Sequence, residues 1–180
     1  MEQLIAWTLE TIRADGPTMG WLEERRFDWV PVTMAALSHL MGGTPFIIIT
    51  DNERQWFAKY LVTMLNCAER NRPHLPIFNA FDITPGLEQA SRADNIDLID
   101  NMLSLAFNDR YILWYIGRSD NVLAKLPKKL SDSFLWVIDE DIQNSFAMRS
   151  RDQLLDIKLM HMARLLDKTI DAAMFGKVTI

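Results

Sequence analysis

The chain has 180 residues, 49% hydrophobic and 24% charged, the proportions of an ordinary globular protein, which excludes disorder and fibrous repeats. Its 24 acids against 19 bases give a formal charge of −5, the wrong sign for a protein whose main contact is the phosphate backbone of DNA or RNA. The longest wholly apolar stretches, such as Phe46 to Ile49, fall far short of the roughly 20 residues a bilayer span needs, so one soluble domain over residues 1–180, without membrane contact, is expected.

In chain order, Leu4, Ile5, Thr8, Leu9 and Ile12 follow a helical spacing that stops at Gly16-Pro17. Val30, Met34, Leu37 and Met41 mark a second helix, ended by Gly42-Gly43, where missing side chains permit a left-handed turn. Phe46-Ile47-Ile48-Ile49 is a continuous apolar run, the pattern of a strand covered on both faces and central in a parallel sheet. Thr50-Asp51-Asn52-Glu53 fits a capping box, with the Thr50 hydroxyl free to accept a backbone N–H and Glu53 able to reach back. The helix it opens buries Trp56, Phe57, Tyr60, Leu61, Met64, Leu65 and Ala68 before Arg72-Pro73 stops it.

Pro76 to Asn79 then reads as a strand, Ile96, Ile99, Leu103 and Ala106 as a helix face, and Tyr111 to Ile116 as the most apolar strand. A short helical piece, Asn121 to Leu126, ends at Pro127, and Phe134 to Ile138 is a fourth strand leading into the acidic turn Asp139-Glu140-Asp141. The longest helix is predicted to start near Ser150, with Gln153 in capping-box position, and to end at Gly176. Leu155, Leu159, Met162, Leu166, Ile170 and Ala173 form one apolar face; Leu154, Ile157, His161, Leu165 and Met174 form another, which implies two neighbours, the sheet and a second subunit. The expected fold is α/β: a single three-layer, Rossmann-type domain with a mostly parallel sheet of four to five strands flanked by helices. A fifth strand is expected at Lys177 to Ile180 or not at all.

Little in the chain points to chemistry. Cys67 is the only cysteine, which excludes an internal disulfide and fits a reducing, cytoplasmic setting, where it would be a small buried hydrophobe. No Gly-rich nucleotide fingerprint follows a strand, no G-x-S-x-G elbow exists, and the three histidines lack metal-ligand spacing, so neither cofactor nor metal is expected. Asp139-Glu140-Asp141 reads as a solvated turn ahead of a Mg²⁺ site, and Lys125, Lys128 and Lys129 as a solvated face ahead of a phosphate-binding patch. Glu23-Glu24-Arg25-Arg26 is a surface salt-bridge set or a partner contact; its neighbours Trp21, Phe27 and Trp29 favour the latter, since aromatic and Arg residues are the usual hot-spot types.

Three segments carry a resemblance. Arg70-Asn71-Arg72-Pro73-His74-Leu75-Pro76 is similar to an "ERPSLP" passage between a long helix and a strand. Gly117-Arg118-Ser119-Asp120-Asn121 sits where the same proteins carry a Ser/Gly/Asn turn, and Arg151 to Phe175 resembles their "RIQEMHM…LID…LF" terminal helix. Through these segments the chain resembles the sugar isomerase (SIS) family, and within it the replication-initiation regulators of the HobA and DiaA type. Leu22 to Pro31 and the acidic loop at Asp51 bring it nearer the HobA type.

That resemblance implies a non-enzymatic bacterial regulator that forms a homotetramer through its first and last helices, and that binds the N-terminal domain of the initiator DnaA. As a multivalent hub it would promote DnaA assembly at the origin without binding nucleic acid itself. The family's terminal Leu-Phe pair corresponds to Met174 and Phe175, expected to form an apolar partner patch with Phe81 and Asp82, unless the pair simply packs the C-terminus down.

The departures fall on the chemistry. In the isomerases a Gly- and Ser-rich loop after the first strand cradles a phosphate; here it reads Thr50-Asp51-Asn52-Glu53-Arg54-Gln55. At ~4 Å and an effective dielectric near 20, each carboxylate facing the phosphate costs about 4 kcal/mol. Ser119 of the second loop has Asp120 beside it. The isomerase helix carries a Glu and, two residues on, a His; His161 matches the His, but the Glu position is Leu159, so no acid–base pair remains. Thr50, Asp51, Asn52, Ser119 and His161 are therefore expected to be a vestigial ligand site, with no catalytic residue. The alternative is a sugar-phosphate isomerase or ligand sensor rebuilt around Ser119 and His161.

Overall fold

The apolar runs become the strands β1 (Phe46–Thr50), β2 (Ile77–Asn79), β3 (Ile112–Arg118), β4 (Phe134–Ile138) and β5 (Ser145–Met148) in the computed structural model, which describes residues 1–84, 86–87, 93–130 and 132–180. All pair in parallel in the order β2-β1-β3-β4-β5, with Ile47 opposite both Phe78 and Leu113, Tyr115 opposite Leu135, and Val137 opposite Ala147. Successive side chains of a strand point to opposite faces, so the central runs must be covered twice. Phe46, Ile48, Trp114, Ile116 and Trp136 enter one core; Ile47, Ile49, Leu113, Tyr115 and Val137 enter the other.

The first face is covered by α1 (Glu2–Ala14), α2 (Trp21–Met41), α3 (Gln55–Leu65) and the last helix; α4 (Ala80–Ile83), α5 (Ala93–Phe107) and α6 (Lys125–Lys129) lie on the second. The last helix, α7 (Leu155–Met174), packs with α1 and α2, which makes the first side two helices deep. Among the described residues no helix is long and apolar enough to cross a membrane.

Several expectations are corrected. The fifth strand is Ser145–Met148, at the edge beyond β4, and not residues 177–180; only Phe146 and Met148 of its four residues are buried, the alternation of a strand covered on one side. The second helix starts at Trp21, so Glu23 to Arg26 form its first turns and Pro31 lies inside it. Its inward stripe takes Trp29 into the core, 1% exposed, with its ring centroid 5.6 Å from those of both Trp136 and Phe146. Trp29 is therefore a packing residue with no surface to offer a partner. Cys67 is half-buried, not fully buried.

The helix ends also refine the sequence reading. Gly43 (φ +79°) follows α2, and Gly176 (φ +70°) follows α7, where the Lys177 N–H donates to the Ala172 carbonyl at 2.7 Å; both turns need the left-handed backbone that glycine adopts without strain. Neither capping box forms. Thr50 ends β1 with its hydroxyl buried and unpartnered, and a 3₁₀ turn, Asn52–Arg54, precedes α3. At α7 the Asp152 carboxylate, not Gln153, receives the Leu154 N–H, at 2.9 Å.

The last helix runs from the C-terminal edge of the sheet to its N-terminal edge. At the upper end the Ser150 N–H donates to the Asp139 carboxylate beyond β4. At the lower end Arg72, in the loop before β2, donates to Asp167 at 2.6 Å, to Asp171 at 2.5 Å and to the Leu65 carbonyl at 2.7 Å.

Candidate functional site

In an open α/β sheet, ligands bind beyond the C-terminal ends of the strands where the strand order reverses, here between β1 and β3. Asp51 follows β1 there, and its carboxylate turns inward. One oxygen, Oδ2, accepts the Arg118 backbone N–H at the end of β3 at 2.8 Å and the Arg54 guanidinium at 2.5 Å. Asp51 is 3% and Arg54 5% exposed. Gly117 makes this possible, since a Cβ there would stand 2.8 Å from the Asp51 carboxylate. Below it, the Tyr115 hydroxyl donates to the Arg118 carbonyl at 2.7 Å, and burial pushes the phenol well above its ordinary pKa, so it stays protonated.

This geometry changes the reason the site is closed. The sequence reading made Asp51 an exposed charge that repels an anion; the structure neutralises it with Arg54 and fills the crevice with the pair. Glu53 and Asn52 remain exposed, Glu53 at 3.2 Å from Arg54. Arg54, Gly117 and the Arg118 N–H are the residues that sequence reasoning missed as parts of the site. The available signal was an Asp and an Arg three residues apart directly after a strand.

Of the other ligand-site candidates, Ser119 adjoins this crevice and His161 lies apart from it. Ser119 is beyond β3, its carbonyl held by Lys128 of α6 at 3.0 Å. Asp120 is engaged by the Arg118 side chain at 3.2 Å, a hydrogen bond that holds its carboxyl below the usual range. His161 is on α7, across the sheet from α6, where its Nδ1 accepts the Trp21 indole N–H at 3.3 Å. Burial first, and the Arg164 charge second, lower its pKa, so the neutral ring is favoured. It borders a cavity of about 330 Å³ whose Arg70 and Lys168 are paired with Asp167 and Asp15.

Nor do the charge clusters converge. Asp139, Glu140 and Asp141 face Arg118, Lys128 and Arg149 respectively, and among the described residues no His, Cys, Asp and Glu group suits a metal ion. Lys129 pairs with Asp97.

The proposed partner residues fall in three places. Met174 and Phe175 lie at the lower end of α7; Met174 is half-buried against the first core, and Phe175 is 59% exposed. Phe81 and Asp82 are on α4, directly after β2, so they sit at the upper edge, and Phe81 packs on the second core. The expected single patch therefore does not exist within one protomer. Arg25 and Arg26 lie near the top of α2: Arg25 pairs with Asp28 at 2.7 Å and donates to the Ala147 carbonyl of β5 at 3.0 Å, while Arg26 stacks on Phe27 at 4.1 Å.

A family model described as HobA, a DNA replication regulator, matches residues 1–180. The chain belongs to the HobA family. The DNA replication regulator protein HobA of Helicobacter pylori is 25% identical over 193 residues, with each chain covered in full. Among solved structures, HobA from a HobA–DnaA (domain I-II) complex of Helicobacter pylori is similar at a TM-score of 0.75 and 24% identity, over 97% of both chains. Phosphoheptose isomerase GmhA of Neisseria gonorrhoeae is similar at 0.61 and 14% identity, over 96% of this chain and 98% of that one. These likenesses establish an isomerase-type fold. The HobA family membership makes the chain a replication regulator rather than an enzyme.

Proposed function

We propose that this HobA-family chain binds the N-terminal domain of DnaA in the bacterial cytoplasm and, as a homotetramer, gathers several initiators for assembly at the origin. The observation that carries this reading is the crevice at the sheet's switch point. Its charged groups, Asp51 and Arg54, are buried and paired with each other rather than turned to a ligand, which favours recognition through the protein's surfaces. The likeness to a HobA solved together with DnaA domains I-II supports the choice of partner. Catalysis is not needed: a symmetric assembly raises the local concentration of whatever its subunits hold. The net charge of −5 suits a hub that leaves DNA to the initiator.

Phe175, large, apolar and 59% exposed at the end of a rigid helix, is the proposed anchor, with Met174 supporting it. Phe81 and Asp82 lie at the other edge and on the other core, so a site that uses both groups must be completed by a second protomer. Arg25 and Arg26 are placed as rim contacts. The test is calorimetric titration of the DnaA N-terminal domain into wild type, Phe175→Ala and Phe81→Ala, with mass measured by light scattering. Wild type should bind as a tetramer, and Phe175→Ala should bind about 30-fold or more weakly at unchanged thermal stability. A wild type that captures no DnaA domain would end the assignment. An intact tetramer with full affinity in the Phe175 variant would move the site elsewhere.

A further inference from the structure

We infer that the crevice at the end of β1 is a self-occupied anion site: the Asp51 carboxylate is its resident anion, and a chain lacking that carboxylate takes a small free oxyanion in its place. The donors are those of an anion site. A main-chain N–H (Arg118, 2.8 Å) and a guanidinium (Arg54 Nη1, 2.5 Å) converge on one oxygen, and both are held by a rigid sheet end or a helix start. Room for the anion is made by Gly117, whose position tolerates no side chain while the carboxylate is there.

The occupancy is also incomplete. Among the described residues, Asp51 Oδ1, Arg54 Nε and the Thr50 hydroxyl are all buried and unpartnered, although each belongs to a residue at most 5% exposed. A carboxylate tethered through one methylene engages one of its two oxygens; a free anion of similar size can turn to offer both to the Arg118 N–H and the Arg54 guanidinium. In the wild type the tether prevails, because an attached group acts at an effective concentration no dissolved anion reaches. Once it is removed, Arg54 is a buried cation without its partner, the situation that most strongly recruits a counter-ion. This inference is independent of DnaA binding and stands or falls on different measurements.

The test compares thermal unfolding of wild type, Asp51→Ala and Asp51→Ala/Arg54→Met in chloride and in formate at constant ionic strength, with inorganic phosphate as a second arm. Asp51→Ala should melt below wild type in chloride and recover by roughly 3–6 °C at saturating formate, while wild type and the double variant should not respond. A response confined to formate supports a hole of carboxylate size; a response to phosphate as well supports one that accepts a tetrahedral anion. Equal shifts in all three proteins, or a shift in Asp51→Ala that survives loss of Arg54, overturn the inference. If Asp51→Ala is insoluble, its refolding yield from urea is compared in formate and chloride. A higher yield in formate supports the site, and equal yields overturn it.

Discussion

Two buried arginine–aspartate clusters hold the ends of the sheet, and they are finished differently. At the lower edge Arg72 meets two carboxylates and the Leu65 carbonyl, and the second oxygen of Asp167 is taken by Arg70 at 2.9 Å. At the upper edge Asp51 uses one oxygen for both its partners and leaves the other unpartnered. The lower cluster joins segments 95 and 99 residues apart, whereas the upper ion pair spans three residues and reaches β3 only through a backbone N–H. Buried charge pairs stabilise to the extent that every lone pair and proton is met. Among the described residues Arg54, Arg70 and Arg72 each leave a buried Nε unpartnered, so the difference lies in the aspartates. With both Asp167 oxygens engaged the lower cluster is a clasp that fixes α7, and with one Asp51 oxygen unmet the upper one is a stopper in a place where α/β proteins bind ligands. Even in the clasp, burial outweighs the arginines and holds the Asp167 carboxyl above the usual range.

The largest expected effect is at the clasp. Arg72→Met removes the hydrogen bonds to Asp167, Asp171 and the Leu65 carbonyl together, leaves Asp167, with 4% of its side chain exposed, to Arg70 alone, and should cost about 3–5 kcal/mol by urea denaturation. Arg54→Met should cost less, about 2–3 kcal/mol, since one charge-assisted bond is lost while the Arg118 N–H still holds Asp51. Combining Arg54→Met with Asp51→Asn should cost less than the sum of the two. If Arg54→Met proves the costlier single change, the upper cluster is the structural one and the contrast is reversed.

Much of the clasp's setting, and little of the stopper, could be read in advance. The continuous apolar runs of β1, β3 and β4 announce themselves because both sheet faces are buried, and the stripes of α5 and α7 hold their period along the helix. The edge strand β5 escaped notice because Ser145 and Ala147 interrupt its only two buried residues. Trp29 beside Arg25 and Arg26 has the composition of an interface hot spot, and only Trp136 and Phe146, more than a hundred residues away, reveal it as core. Asp51 shows its charge in the sequence but not its direction. An acid at the start of a helix has the same letters whether it faces solvent or folds back on Arg54. Phe175 and Phe81 likewise carry no mark of lying at opposite edges until the strand order is known.

A smaller effect is expected at His161, six residues above Asp167 on α7. Its folded pKa lies below the 6.5 of an exposed histidine, so between the two values the unfolded chain binds more protons. Stability should therefore be complete above pH ~6.5 and should fall as the pH drops through the folded value. The carboxyls whose pKa is lowered, Asp120, Asp139, Glu140 and Asp152, titrate below that window. Asp167, raised by burial, contributes with the opposite sign in wild type and in His161→Gln alike, so urea midpoints from pH 7.5 to 5 should fall further in wild type than in the variant, which keeps an acceptor for Trp21. An unchanged slope in the variant would place the proton uptake elsewhere.

The smallest expected effect is the most diagnostic for the stopper. Arg118 contributes to it through its N–H alone, while its guanidinium points away to Asp120 at 3.2 Å and Asp139 at 3.9 Å, both near solvent. Exposed pairs of this kind add little, because water screens them and two long side chains lose freedom. Arg118→Ala retains the backbone donor and should leave the urea midpoint where it is, beside the clear losses at Arg54 and Asp51. Were Arg118→Ala to shift the midpoint as far as Arg54→Met does, the carboxylate would be held by the summed positive charge of two side chains. A main-chain donor aimed at one oxygen would then no longer account for why Asp51 turns inward.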